Sequence, residues 1–179
     1  AYNYDKKYLM EFTLRRDGSS VFGKDVRWAT FPSVALGWNF SDESFMDSFW
    51  WLSHGKIRAS WGKSGQTFKD PYLAQGVIDI AGTFLGVSGL QPAQLQNAGL
   101  TWEKSDQYDL GLDVDLFDYR LKMKLDYYYK YTSSILWNVD LPGSIYFFDT
   151  MWDNAVELSN EGIELEAQFD ILRDTEVKW

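Results

Sequence analysis

Apolar side chains recur at every second position over long stretches of this chain. The clearest stretch runs from Gln107 to Leu116, where every even-numbered residue is apolar and every odd-numbered one is Asp, Gly or Gln. A period of two is typical of a β-strand whose two faces meet different surroundings. Strands of soluble proteins cluster at about 5–6 residues, whereas roughly 10 are needed to cross a hydrocarbon layer at a tilt. The pattern therefore predicts an all-β chain whose strands are long enough to span a membrane.

The same alternation predicts six strands in one antiparallel arrangement, and the connections between them differ in length. The strands are predicted near residues 3–15, 30–40, 55–65, 102–117, 120–132 and 156–170. Three connections are long, at 16–29, 66–101 and 133–155, whereas the connection at Phe117 to Arg120 is tight. Short turns at one end and long loops at the other are typical of an outer-membrane barrel, whose long loops are extracellular.

The hairpin around Asp118 and Tyr119 allows the strand register to be predicted. A two-residue turn at these positions places Leu112 opposite Leu125 and sets every other pair of the hairpin. All apolar pairs then fall on one face. On the other face, Asp113 meets Lys124 and Asp115 meets Lys122. We expect these opposite charges to face a water-filled lumen, because a one-residue slip would mix the two faces.

The composition excludes several functional classes. The net charge is -9, with 17 basic against 26 acidic residues, which argues against nucleic-acid binding because phosphate contacts need an excess of Lys and Arg. The chain contains no Cys and one His, so neither a thiol nucleophile nor a Cys- or His-based metal centre is expected. Aromatic residues make up 18% of the chain. Rings near strand ends, including Trp38 and Trp102, suit the interfacial girdle of a membrane barrel.

Two arrangements that resemble catalytic groups are interpreted as structural. Glu164 and Glu166 lie two apart on a strand, a separation that would suit a pair of glycosidase carboxylates. A solvated strand face explains the same pattern. His54 could act as a base only with a placed acid and an oxyanion hole, and it is interpreted as a structural or surface residue. We therefore predict no enzymatic activity, no cofactor and no metal.

Aromatic residues on the long loops are the candidate contacts for a ligand or a partner protein, because such rings stack on sugars or pack against protein. Tyr128 is a further candidate on the polar face of its strand. The full set of candidates is Phe68, Tyr72, Tyr128, Trp137, Tyr146, Phe147, Phe148 and Trp152.

Six strands cannot close a single-chain bacterial barrel, whose minimum is about eight, and open sheet edges are not tolerated in lipid. This predicts that the chain is a segment of a larger barrel. The alternative is a soluble or surface-exposed β-rich module that binds glycans, in which two sheets bury their apolar faces against each other.

Four stretches carry a family resemblance. They are RRDGSSVFGKDVRWATFPSVALGWNF (Arg15 to Phe40), KIRASWGKSGQ (Lys56 to Gln66), LTWEKSDQYDLGLDVDLFDYRLKMKLDYYYKYTSSIL (Leu100 to Leu136) and NEGIELEAQFDI (Asn160 to Ile171). In this order they resemble the barrel of the SusC/RagA-type TonB-dependent outer-membrane transporters of Bacteroidota. Asp118-Tyr119 departs from the Asn-rich turn usual in that family, and residues 66–101 show no pattern that aligns.

The resemblance implies a multi-pass protein of the outer membrane, with a 22-stranded barrel around a plug domain. Residues 1–179 would supply one part of the barrel wall, and the plug would lie outside them. The resemblance also implies import of oligosaccharides or peptides. Its expected partners are a SusD-type surface lipoprotein that acts as a lid, and the TonB complex, which acts through the plug.

Overall fold

A single antiparallel sheet of seven strands forms the body of the protein, as described by a computed structural model of residues 1–70, 72–142 and 148–171. Its strands are β1 (Tyr2–Tyr4), β2 (Tyr8–Gly18), β3 (Trp28–Asn39), β4 (Leu52–Gln66), β7 (Glu103–Leu116), β8 (Leu121–Asp140) and β9 (Thr150–Phe169). Two further strands, β5 (Val77–Phe84) and β6 (Val87–Gln94), form a separate hairpin. The strands of the large sheet pair in chain order, so its topology is an up-and-down meander.

The register predicted for the β7–β8 hairpin is confirmed. Leu112 pairs with Leu125, and the pairs Asp113 with Lys124 and Asp115 with Lys122 lie directly opposite each other. Phe117, Asp118 and Tyr119 have φ angles of 54°, 53° and 64°. Both central positions of the turn, Asp118 and Tyr119, thus have the left-handed conformation that a type I′ turn requires, and the residue before them has it as well. This turn continues the twist of the two strands and thereby keeps their apolar residues on one face.

The strand boundaries differ most from the predicted ones in three places. The segment predicted as one strand over 3–15 is two strands, because the chain turns at Asp5 and Lys6 with φ angles of 52° and 56°. Strands β8 and β9 continue far into the predicted loop 133–155. The predicted loop 66–101 contains the hairpin β5–β6, which carries little alternation because Gly, Gln and Pro interrupt its strands.

Little of the sheet is buried. Among the described residues the buried apolar side chains number six, and they form two clusters at the end of the sheet that carries the long loops. Of the helices in the part of the chain that the structure describes, none is long and apolar enough to cross a membrane. The stability of the sheet therefore depends on strand pairing and on whatever covers its apolar face.

Candidate functional site

One face of the sheet is apolar and uncovered. The register aligns Met10 with Leu36 and, further along the same row, Leu110 with Tyr127. Exposed side chains on this face include Phe12, Leu14, Leu36, Leu110, Leu125, Ile163 and Leu165, with exposed fractions of 43–73%. The described residues do not form the alternative two-sheet module, because a second sheet would cover this face and its apolar side chains are instead 43–73% exposed.

The opposite face is polar and carries a charge network centred on Arg58. The guanidinium of Arg58 donates two hydrogen bonds to the carboxylate of Asp113, at 2.8 and 2.9 Å, and a third to Asp126 at 2.9 Å. One side chain of β4 thus links β7 and β8. Lys124, predicted to pair with Asp113, donates instead to Glu166 on β9 at 3.4 Å. Asp113 and Lys124 lie directly opposite each other, as predicted. The hydrogen-bond partner of Asp113, however, is Arg58, which the alternation of the hairpin did not indicate.

Gly111 has no side chain, and this leaves room for the side chain of Arg58 to cross β7. It lies between Arg58 and Asp126 in the register, and a Cβ atom at this position would be 2.7 Å from Cζ of Arg58 and 2.5 Å from Oδ1 of Asp126. A longer side chain would therefore block the path of the guanidinium across β7. The same relation occurs at Gly162, where a Cβ would be 2.7 Å from the hydroxyl oxygen of Tyr128.

We expect Gly111→Val to displace the guanidinium of Arg58 and to lower the free energy of unfolding by about 1–2 kcal/mol, the usual value of a charge-assisted hydrogen bond reduced for partial exposure. Urea denaturation of the full-length protein in detergent measures the change. Arg58→Gln should give a similar loss. Combining both substitutions should cost less than the sum of the single losses, since both act on one interaction. Additive losses would contradict the proposed role of Gly111.

The long-loop end of the sheet contains two packed apolar clusters. Phe22, Phe31 and Trp102 form the first, with the rings of Phe22 and Trp102 at 5.1 Å. Leu73, Ala74 and Leu100 form the second. Phe68 contacts both clusters. Phe22, which follows β2, and Phe68 and Leu73, which follow β4, are therefore held against the end of the sheet.

Side-chain amides of two asparagines hold the neighbouring strands at this end. The amide of Asn154 donates to the carbonyl oxygens of Ser134 and Thr101 at 2.6 and 3.1 Å, and its oxygen accepts from the backbone N–H of Thr101 at 2.8 Å. Asn97 donates to the carbonyl oxygen of Trp152 at 3.0 Å. The bond to Ser134 satisfies a carbonyl oxygen within the register shift of β8 and β9 between Thr132 and Ile135.

The six candidate contact residues that the structure describes fall into three groups. Phe68 and Trp152 pack against the cluster of Leu73, Ala74 and Leu100, so their rings serve packing. Phe148 and Tyr128 are half-buried. Tyr72 and Trp137 are 62% and 59% exposed, and they are the two candidates whose rings are most available to a ligand or partner. The remaining candidates, Tyr146 and Phe147, lie outside the described residues. Within the described ranges, no group of three or more His, Asp or Glu side chains could hold a metal ion.

A sheet of long antiparallel strands with one apolar exposed face and one charged face defines a wall segment of a membrane β-barrel. The family model "TonB dependent receptor-like, beta-barrel" matches residues 1–179. The chain belongs to this family. It is a family of multi-pass barrels of the bacterial outer membrane.

The relatives and solved structures that match come from whole receptors. TonB-dependent receptor P26 of Formosa agariphila is 36% identical over 99% of this chain and 18% of its own length. SusC of Bacteroides thetaiotaomicron is 34% identical over 99% of this chain and 18% of its own length. The RagAB peptide transporter superimposes with a TM-score of 0.85 at 29% identity, over 96% of this chain and 19% of the matched one. The chain thus spans less than a fifth of each relative, and the resemblance to SusC/RagA-type barrels is confirmed.

Proposed function

We propose that this chain forms part of the wall of a transporter that imports oligosaccharides or peptides across the outer membrane, with a SusD-type lipoprotein as its lid and with energy supplied by TonB. The observation that supports this most is the two-faced large sheet, whose apolar face continues over its strands β2, β3, β4, β7, β8 and β9. RagAB is described as a peptide transporter, and it superimposes on nearly the whole chain. In this proposal the protein is a receptor and transporter, not an enzyme.

The role of this segment in transport follows from its two surfaces. The charged face, with Arg58, Asp113 and Lys124, lines the lumen. The loops at the packed end are extracellular, because long loops of such barrels face outward. Tyr72 and Trp137 are the residues we propose as contacts for substrate or lid, since they present exposed rings on a fixed support.

The proposed function is tested by uptake into cells that express the full-length protein together with its lipoprotein lid. Two fluorescent probes are used, a mixture of labelled oligosaccharides and a mixture of labelled oligopeptides. We expect one class to enter, and we expect entry to stop when TonB is deleted. Entry of neither class in cells with assembled protein, or entry that continues without TonB, would contradict the proposal.

A further inference from the structure

An open cavity of about 570 Å³ lies between the segment 72–76 and the base of the hairpin β5–β6. It is called the Tyr72 cavity below. Its lining includes Asp70, Tyr72 and Gln75 on one side and Ile78, Ala93 and Gln94 of the hairpin on the other. The volume falls within the range of small-ligand sites, about 300–1,000 Å³. The roles assigned above use the ring of Tyr72 but not the cavity beside it.

The ring of Tyr72 projects from a segment that is fixed by buried neighbours. Tyr72 itself is exposed, whereas Leu73 and Ala74, which follow it, are buried and belong to one cluster with Leu100. The backbone N–H of Tyr72 donates to Oδ1 of Asp70 at 2.9 Å. Because this support is already ordered, a ligand that packs on the ring loses little free energy to the ordering of the protein.

Gln94 holds the two sides of the Tyr72 cavity together. Its side-chain amide nitrogen donates to the carbonyl oxygen of Leu73 at 2.6 Å and to that of Gln75 at 3.2 Å. Gln94 is the last residue of β6 and pairs with Val77 at the start of β5. These bonds therefore connect the hairpin directly to the segment 72–76. The cavity is thus preformed, as small-molecule sites usually are.

The groups that line the Tyr72 cavity match the surface of a pyranose ring. A pyranose has an apolar face of C–H groups, which can pack on an aromatic ring, and a rim of hydroxyls, which need donors and acceptors. Tyr72 and the exposed side chain of Ile78 supply apolar surface. The carboxylate of Asp70 accepts hydrogen bonds, and the amide of Gln75 both donates and accepts them.

The charge of the cavity favours a neutral sugar. Of the described residues that line it, Asp70 alone is charged. A uronic acid or a sulfated sugar would bring a second negative charge close to this carboxylate, and no Lys or Arg among those residues would compensate for the repulsion.

The hairpin β5–β6 is poorly suited to bind a peptide. An extended peptide adds a strand to a free sheet edge, where it needs a regular row of N–H and C=O groups. The pairing of β5 with β6 shifts register between Val77 and Ile78 and again between Ile80 and Thr83. Pro92 of β6 has no N–H. The edges of the hairpin are therefore irregular, which favours a sugar over a peptide as the ligand.

We propose that the Tyr72 cavity is a subsite for one neutral pyranose unit of an oligosaccharide, and that the ring of Tyr72 stacks on this unit. The inference rests on the proposed function, and it selects one of the two substrate classes named there. Because the residues of the subsite all belong to the wall protein, the subsite binds sugar without the lid.

The test measures binding to the purified full-length protein in detergent, without the lid and without TonB. The neutral probes are labelled oligomers of glucose, mannose, xylose and galactose. Labelled oligogalacturonates represent acidic sugars, and a labelled oligopeptide mixture represents peptides. Fluorescence polarisation gives the dissociation constant of each probe. We expect saturable binding of at least one neutral probe.

Tyr72→Ala should weaken the binding of that neutral probe about tenfold or more, because the stacking ring is lost. Tyr72→Phe should bind as tightly as the unaltered protein, because the face of the ring is kept. Leu85→Ala is the matched control. It removes a side chain that is 88% exposed from the tip of the same hairpin, outside the cavity, and it should leave binding unchanged.

Binding of the neutral probes that is absent, or that is equal in the unaltered protein and in Tyr72→Ala, would overturn the inference. Binding of the acidic sugars or the peptides that depends on the Tyr72 ring would overturn it too. Failure of the proposed function is a separate result. Sugars that bind through Tyr72 but do not enter cells would contradict the transport role and leave the subsite supported, because none of these binding measurements depends on uptake.

Discussion

Replacing Leu125 by Arg should prevent assembly of the full-length barrel in the outer membrane. Leu125 pairs with Leu112 on β7 and with Leu165 on β9, and it is 43% exposed on the apolar face. An Arg near the midplane of the bilayer costs about 2–4 kcal/mol on the lipid face of a barrel. Leu112→Arg should act in the same way. The heat-dependent electrophoretic mobility of the protein in outer-membrane fractions measures the assembled fraction.

The matched control introduces Arg on the charged face of the sheet instead of the apolar one. Gln107 is an exposed residue of β7 on the charged face, where it hydrogen-bonds Asp109 at 3.0 Å. Gln107→Arg should leave assembly close to that of the unaltered protein, because its guanidinium faces water and a carboxylate. Equal assembly of the Leu125 and Gln107 variants, whether high or low, would contradict the assignment of the two faces.

The register of the β7–β8 hairpin was predictable because all its determinants are local. A two-residue turn fixes which residues oppose each other, and strict alternation on both strands means that only one register keeps Leu112 and Leu125 on the same face. The alternation of apolar and polar residues is a stronger signal in membrane strands. They must separate lipid from water along their whole length, so the pattern lasts longer than in a soluble strand.

Contacts between distant segments were not predictable in the same way. Arg58 reaches Asp113 and Asp126 only because β4 lies beside β7, and these two strands are separated in the sequence by residues 67–102, whose pattern does not reveal the pairing. Tight turns set a register, but long loops do not. The absence of a side chain at Gly111, which opens the path for the guanidinium, gives no signal in the hydrophobic pattern.

Trp102 shows a different reason for a wrong prediction. Its place at a strand end predicted an interfacial girdle residue, but it is 5% exposed and packs against Phe22 and Phe31. Its Nε1 donates to the carbonyl oxygen of Arg27 at 3.3 Å. Aromatic rings suit both a membrane interface and the packing of a loop, so ring position in the sequence alone cannot distinguish them.

Trp102→Ala should release the loop around Phe22 without unfolding the sheet. Removing a buried Trp from a packed cluster costs about 3–5 kcal/mol, and here the loss falls on the loop, because the strands are held by their own backbone ladder. The rings of Trp102 and Phe31 meet edge to face with centroids 5.7 Å apart, and the rings of Phe22 and Phe68 do so at 5.0 Å. Loss of the Trp102 ring therefore loosens the packing of Phe22 against Phe68.

Limited proteolysis of the full-length protein in intact cells measures this release, since only surface loops are accessible from outside. Trp137→Ala is the matched control, because it removes the same side chain from a position that is 59% exposed. We expect faster cleavage near Phe22 in the Trp102 variant and unchanged cleavage in the Trp137 variant, with both proteins assembled. Unchanged cleavage after Trp102→Ala would mean that the cluster does not hold the loop. If the release occurs and uptake falls with it, the two packed clusters act by presenting Tyr72 and neighbouring loop residues in a fixed position.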